Sequence, residues 1–208
     1  MSRSGLLACC TAVVALAGCQ QASPQPAGTP SWLRTVSLRP TDFSADTTPT
    51  DRHASLIDVR SNWRGLSLCL GRELPQPRGV TASPILAVPG GNTYADSVAE
   101  WFPAGVPSLT PLDQTDKCER QAFAAHGDRI LSFDRSRMTT GGGDDTMRVS
   151  AVLTLSDGRR MTDDDLRADV GHLLVHVRVY GTQTLPVAEE ERLLSAVVGR
   201  ARPLAGRT

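Results

Sequence analysis

Lysine is almost missing from this chain: Lys117 is its only one, although arginine is common and the formal net charge at pH 7 is zero. That balance argues against nucleic acid as a partner and against a polybasic grip on anionic lipid. Aromatic residues make up only 4% of the chain, which disfavours a carbohydrate-stacking surface.

The chain also lacks an apolar run long enough to cross a bilayer. Leu6–Ala15 is about ten residues long and follows a cationic start at Arg3, whereas a spanning helix needs about 20 apolar residues. A short apolar run that ends in small residues is typical of a secretory signal peptide.

The signal ends in Leu16-Ala17-Gly18-Cys19, which resembles the bacterial lipobox. The resemblance implies a signal peptide over residues 1–18, cleavage before Cys19 and a diacylglyceryl group on its thiol. We therefore expect a lipoprotein anchored to the extracytoplasmic side of the cell membrane. Acyl chains such as palmitate would anchor it stably, since each buried methylene contributes about 0.8 kcal/mol. The alternative is an ordinary secreted protein, cut near Ala17.

Residues 19–31 are rich in Gln, Ser, Pro, Ala, Gly and Thr and show no apolar period. Such a segment cannot bury a core, so we expect a flexible tether. Residues 32–207 are predicted to form a single globular domain.

Two cysteines remain within that domain, Cys69 and Cys118. In an exported chain we expect them to form one disulfide. It would close a loop of about 50 residues and stabilise the fold by about 4 kcal/mol. Reactive or metal-bound thiols are the alternative, which no CxxC or nearby His pattern supports.

Hydrophobic periodicity predicts an α+β fold, with a twisted antiparallel sheet and helices packed on one face. Alternation predicts strands at Arg129–Met138 and Met147–Leu155, with a turn at Ser156-Asp157-Gly158. A Val-rich strand follows, with Leu173, Val175, Val177 and Val179 on one face and His172, Leu174, His176 and Arg178 on the other. A shorter helix is expected over Thr93–Phe102, with Tyr94, Val98 and Trp101 on one side.

The clearest predicted helix covers residues 187–202. Its buried stripe would be Leu193, Leu194, Val197, Val198 and Ala201. Glu189, Glu190 and Glu191 would complement the dipole at its start, with Glu190 on the solvent side.

His172 and His176 have the spacing of a metal pair on a helix. On the predicted strand they would stand about 13 Å apart, too far for two zinc ligands at about 2.0–2.1 Å from the metal. They are expected to be polar-face residues, which could still titrate near neutral pH.

Three further segments partly resemble catalytic or binding motifs, but each lacks a residue or a spacing that the motif requires. Gly65-Leu66-Ser67-Leu68-Cys69 lacks the last glycine of a nucleophile elbow, so Ser67 is expected to be a strand residue beside the disulfide. Gly141-Gly142-Gly143, followed by Asp144 and Asp145, lacks the Lys of a phosphate loop; it indicates a hairpin connection, with a mobile lid as the alternative. Asp163, Asp164 and Asp165 lack calcium-loop spacing; Thr162 is expected to cap a helical turn, with these acids in its first turn.

Trp32, Trp63 and Trp101 are spread along the chain. Each is expected in the core, although together they could form an aromatic wall for an apolar ligand.

Five features recur through most of the domain: Leu38-Arg39-Pro40-Thr41-Asp42-Phe43, Leu68-Cys69, a mid-domain Cys118, a Val-rich strand closing at Gly181, and Ala201-Arg202-Pro203-Leu204. Together they resemble a group of actinobacterial envelope lipoproteins. The few lysines beside many Ala, Gly and Pro also fit a high-GC genome. This group is related to the extracellular sensor domain of a mycobacterial serine/threonine kinase. The resemblance implies an α/β sandwich with a cleft, and a ligand-binding or accessory role. Those domains have two disulfides, whereas this chain can form one.

The sequence thus predicts a non-enzymatic ligand-binding, sensor or envelope-interaction domain, with no catalytic residue, cofactor or metal. Its partners would be the membrane, through the lipid anchor, and a small molecule, a lipid or an envelope protein. The alternative is an envelope hydrolase with an unrecognised active site.

Overall fold

The computed structural model describes residues 29–53, 56–90, 92–107, 116–118, 120–121, 129–138, 145–155 and 157–207, with the backbone alone for 51–53 and 56–62. The strands are β1 (Thr48–His53), β2 (Gly79–Ala82), β3 (Pro84–Val88), β4 (Thr93–Trp101), β5 (Arg129–Arg137), β6 (Asp145–Thr154), β7 (Arg160–Val170) and β8 (Leu173–Gly181). The α-helices in these ranges are α1 (Leu56–Leu70) and α2 (Val187–Ala201), and short 3-10 helices span Ser31–Val36, Pro40–Asp42 and Arg202–Leu204. None of these helices is long and apolar enough to cross a membrane.

The eight strands form one antiparallel sheet in the order β1-β3-β4-β8-β7-β6-β5, with β2 also paired to β4. The predicted α+β class is therefore confirmed. The strands predicted at 129–138, 147–155 and 173–181 are present as β5, β6 and β8. The turn at Asp157 and Gly158 joins β6 to β7, and Gly158 adopts a left-handed φ of 85° that favours glycine there.

Helix α2 covers one face of the sheet, here called the α2 face. The predicted stripe, Leu193 to Ala201, is fully buried, together with Leu166, Val175 and Val177 of the sheet. The 3-10 helix Ser31–Val36 adds Leu33 and Val36 to this core. These residues form the principal apolar core because the strands alternate and α2 has one apolar stripe.

The opposite face, here called the His176 face, contacts helix α1. Trp63 of α1 packs edge-on against Phe102, with ring centroids 5.3 Å apart, and the two share a small cluster with Leu174. The prediction that the helices pack on one face thus holds for α2, whereas α1 lies against the other face. A two-sided arrangement explains why the central strands β4 and β8 are buried on both faces.

The segment Thr93–Phe102 was predicted to be a helix, and this is wrong. Residues 93–101 form β4, which pairs with β8 along its whole length. Small side chains on its α2 face leave room for the 3-10 helices, and the backbone N–H of Leu38 donates to Ser97 Oγ at 2.8 Å. The apparent helical spacing of Tyr94, Val98 and Trp101 was coincidental.

Two other local predictions are also wrong. The segment 65–69 is the end of α1 and not a strand, because Trp63, Leu66 and Leu70 share a helical face toward the small cluster. Thr162 does not cap a helical turn: Thr162 and the acids that follow lie in β7, paired to β6 and β8.

The predicted disulfide between Cys69 and Cys118 is confirmed, with the Cα atoms 5.8 Å apart. It joins the end of α1 to the helical residues 116–118. Asp116 in the same segment forms an ion pair with Arg135 of β5. The disulfide therefore ties α1, at one side of the His176 face, to a segment that contacts the far edge of the sheet.

Candidate functional site

Charged side chains from three adjacent strands gather on the His176 face. Their members are Asp96 and Glu100 of β4, His176 and Arg178 of β8, and Asp163, Asp165 and Arg167 of β7. The strand register brings them together, since Arg178 is opposite Asp96 on one side and opposite Asp165 on the other. We call this set the His176 cluster.

His176 lies between two carboxylates. Its Nε2 is 3.1 Å from Glu100 Oε1, and its Nδ1 is 3.3 Å from Asp165 Oδ1. Burial alone would lower the pKa of His176, but the Asp165 and Glu100 carboxylates outweigh it and raise this pKa to about 9. The imidazole is therefore a cation at neutral pH, with each ring nitrogen within 3.3 Å of a carboxylate oxygen.

The two acids beside His176 have further partners. The Trp63 indole N–H of α1 donates to Glu100, so this carboxylate joins the helix to the sheet. Arg167 Nε donates to Asp165 Oδ2 at 2.7 Å. Burial would raise the pKa of Asp165, but the Arg167 and His176 cations outweigh it and hold this pKa well below its usual range.

The other half of the cluster is built around Arg178. Its Nε donates to Asp163 Oδ1 at 2.8 Å, and its guanidinium lies 4.9 Å from the centroid of the Tyr180 ring. Tyr180 stacks in turn on Tyr94, with centroids 5.9 Å apart. Asp96 is 5% exposed, and burial raises its pKa to about 6 although the Arg178 charge opposes the shift.

A second buried charge group lies on the α2 face, between the sheet and the first turn of α2. An Arg148 terminal nitrogen is 3.1 Å from Asp164 Oδ1 and 3.0 Å from Glu190 Oε2. Glu190 is 0% exposed. Burial, and then the Asp164 carboxylate, raise the pKa of Glu190 to about 8. We call these three residues the Glu190 triad.

The expectation that Glu190 lies on the solvent side of the helix is therefore wrong. Of the three neighbouring acids, Glu189 does lie at the helix surface, where it accepts from the backbone N–H of Ser44 at 3.0 Å and pairs with Arg192. Glu190 points inward because successive residues of a helix are rotated about its axis, and this rotation places Glu190 over β6 and β7.

Ser67 and His172 do not form a nucleophile and base pair, because each is bound to backbone groups of a different segment. Ser67 donates through its hydroxyl to the Trp63 carbonyl at 2.9 Å and accepts from the Leu74 backbone N–H at 3.1 Å, so it fastens the end of α1. His172 lies in the turn before β8, with Nδ1 3.2 Å from the Phe102 carbonyl oxygen. Within the described ranges, no group of three His, Cys, Asp or Glu side chains is arranged to hold a metal ion.

Two predicted sites lie outside the described residues: Cys19, the expected lipid attachment point, and the Gly141–Gly143 connection with Asp144. Asp145, next to that connection, begins β6. The three tryptophans do not form one wall. Trp32 contacts Trp101, whereas Trp63 lies in a separate cluster with Phe102.

The sequence reasoning missed Asp96, Glu100, Arg148 and the role of Asp165. For β7 a signal was present, because charged Asp165, Arg167 and Asp169 alternate with apolar Leu166, Ala168 and Val170. For Glu190 no local signal was present, since its partners come from β6 and β7.

Comparison with known proteins gives weak structural similarity only. No family model and no curated protein matches the chain. An uncharacterised protein from Mycobacterium smegmatis is 15% identical, with a TM-score of 0.41, over 76% of this chain and 86% of that one. A protein of unknown function from Pseudomonas aeruginosa is 13% identical, with a TM-score of 0.33, over 66% and 89%. The extracellular domain of PknH from Mycobacterium tuberculosis is 10% identical, with a TM-score of 0.28, over 76% and 100%.

The expected resemblance to a mycobacterial kinase sensor domain thus corresponds to a weak structural similarity without a sequence-level family match. These neighbours indicate no enzyme family. We take no functional conclusion from likeness at these TM-scores.

Proposed function

We propose that this protein is an exported lipoprotein, held at the extracytoplasmic side of the membrane by a lipid on Cys19. Its domain binds a ligand or an envelope partner and performs no catalysis. Export and anchoring are supported by the short apolar run and the lipobox-like Leu16–Cys19. The disulfide agrees with an oxidising compartment.

The observation that carries the non-enzymatic part of the proposal is the state of His176. A general base must offer an unprotonated nitrogen to a nucleophile. Both nitrogens of His176 face carboxylates, and its pKa of about 9 keeps the ring protonated at neutral pH. His176 is therefore not poised as a general base, and the ion pairs within the His176 cluster support a structural role that joins β4, β7 and β8.

Replacing Cys19 with alanine tests the anchor. We expect the wild-type protein in the membrane fraction, with an intact mass that includes the acyl chains. Cys19→Ala should move the protein to soluble or uncleaved forms, whereas Cys10→Ala, within the predicted signal, should leave it in the membrane fraction. A Cys19→Ala protein that remains acylated would contradict the anchor.

Native mass spectrometry of protein purified from its own membranes tests the binding role. We expect a species heavier than the lipidated chain, which releases a bound molecule on activation. The hydrolase alternative predicts covalent labelling by a fluorophosphonate probe. Stoichiometric labelling of the wild type at any residue would overturn the non-enzymatic proposal.

A further inference from the structure

One end of the sheet combines three features that a membrane-facing surface needs. The C-terminal end of β4, the β7–β8 turn and the last residues of the chain meet there: the His172 backbone N–H donates to the Ala205 carbonyl at 3.2 Å. Trp32 and Trp101 lie at this end as an edge-to-face pair, with centroids 5.9 Å apart. Both indoles are half-buried, each packs against the main core, and the Trp101 indole N–H donates to the Arg207 carbonyl at 3.2 Å.

The chain arrives from the predicted tether at the same place. Thr29 Oγ1 donates to the Val80 carbonyl of β2 at 3.4 Å. Pro30 lies against Gly79, where an added Cβ would come within 2.9 Å of Pro30 Cδ. The glycine thus permits the first described residues to lie on the sheet beside Trp32.

The length of the preceding segment limits where this end can be. Ten residues separate Thr29 from Cys19. Even fully extended they reach at most about 35 Å. A lipid on Cys19 would therefore hold this end of the domain within about 35 Å of the bilayer.

The charge at this end suits anionic headgroups. Arg78 and Arg207 are both exposed. The Arg78 backbone N–H donates to the Trp101 carbonyl at 2.9 Å, and the Arg207 guanidinium lies 5.7 Å from the Trp32 ring centroid. Arg78 also lines an open cleft of about 300 Å³ with Phe102 and Pro103.

We propose that this end of the sheet, marked by Trp32, Trp101, Arg78 and Arg207, rests on the headgroup layer of the membrane that holds the anchor. Indole rings prefer the boundary between headgroups and acyl chains, where an apolar ring with a polar N–H is best accommodated. The two guanidinium groups would bind lipid phosphates. This inference rests on the proposed lipid anchor for its geometry, and it adds an orientation that the anchor alone does not impose.

Quenching of tryptophan emission by brominated phospholipids tests the orientation. The lipidated protein is reconstituted in phosphatidylcholine vesicles that contain 30 mol% phosphatidylglycerol. We expect at least a twofold loss of the quenched signal in Trp32→Phe and an unchanged signal in Trp63→Phe, because the Trp63 side chain is buried between α1 and the sheet. Equal quenching in the two variants would overturn the proposal.

Two double variants that lose the same charge test whether the arginines at this end bind the headgroups. In the Arg78→Gln/Arg207→Gln variant the ratio of docked to undocked protein should fall about fivefold for each arginine, which corresponds to about 1 kcal/mol per basic residue near an anionic surface. The control, Arg129→Gln/Arg160→Gln, removes the same charge at the opposite end of the sheet, where Arg129 and Arg160 both pair with Thr154. Identical behaviour of the two double variants would contradict the proposed surface.

The intact mass of each preparation separates this inference from the proposed function. An acylated Cys19 without Trp32-dependent quenching would refute the orientation and leave the anchor intact. An unmodified Cys19 would refute the anchor, and quenching on added vesicles would still decide whether this end binds anionic lipid.

Discussion

Replacing Glu190 with glutamine should stabilise the protein, and the gain should grow as the pH rises. The Glu190 carboxyl is fully buried beside Asp164 and Arg148. Burial and Asp164 raise its pKa from 4.5 to about 8 in the folded state. The folded chain therefore keeps a proton that the unfolded chain releases.

Proton linkage gives the sign and the slope of the effect. Between pH 4.5 and 8 the folded state binds more protons at this site, so its stability falls by about 1.4 kcal/mol for each pH unit at most. The contribution is fully present below pH 4.5 and is lost as the pH rises through 8. At pH 7 the ionisation of Glu190 has lowered the free energy of unfolding by about 3 kcal/mol relative to its value below pH 4.5. Glutamine stays neutral throughout and keeps nearly the same shape.

Urea unfolding at pH 5, 6, 7 and 8 would measure this difference. We expect nearly equal free energies of unfolding for the wild type and Glu190→Gln at pH 5, and a variant that is clearly more stable at pH 8. Glu191→Gln removes the same formal charge from the next, partly exposed position and should follow the wild-type slope. Other titrating groups such as His176 affect all three proteins alike. Parallel pH profiles for the wild type and Glu190→Gln would refute the reasoning.

Three further outcomes are expected. Val197→Asp places an unpaired charge in the core beneath α2 and should lower the stability by several kcal/mol, seen as a lower melting temperature. The control Ser195→Asp, on the exposed side of α2, should lower the stability by less than about 1 kcal/mol. Equal melting temperatures for the two variants would mean that α2 is peripheral. The His176 imidazole should titrate near pH 9 by NMR, so its stabilising contribution is present below about 6.5 and is lost through pH 9; a midpoint near 6.5 would contradict the carboxylate pairing. Removing the disulfide with Cys69→Ser/Cys118→Ser should lower the free energy of unfolding by about 4 kcal/mol, and an unchanged urea midpoint would contradict this.

The elements that could be predicted from sequence are those with one apolar and one polar face. β8 alternates Leu173, Val175, Val177 and Val179 with polar neighbours, and all four are buried on the α2 face. Helix α2 has one stripe at helical spacing, and that stripe is buried as predicted. In both cases a single period is visible because most of the large apolar residues fall on one face, although β8 is covered on both.

β4 could not be predicted in this way because it is buried on both faces. Ala95 and Ala99 pack toward α2, while Asp96 and Glu100 lie in the His176 cluster on the other side. Small residues on one face and acids on the other give weak alternation in hydrophobicity. The large residues that remain happened to fall at helical spacing.

The three consecutive aspartates of β7 show why neither the His176 cluster nor the Glu190 triad could be predicted from the sequence. Asp163, Asp164 and Asp165 look like a helix start when charge alone is considered. In a strand, neighbouring side chains point to opposite faces, so Asp163 and Asp165 join the His176 cluster while Asp164 joins the Glu190 triad.

Each acid of that run meets cations and carboxylates that are distant in sequence, Arg178 for Asp163 and Arg148 for Asp164. An unpaired buried charge costs several kcal/mol, so the run is stable only once β6, β7 and β8 are in register. A shift of one residue in β7 would exchange the two groups and place Leu166 among the charges. The buried acids therefore select the register of the central sheet, and this is a structural reason for three consecutive aspartates in a strand.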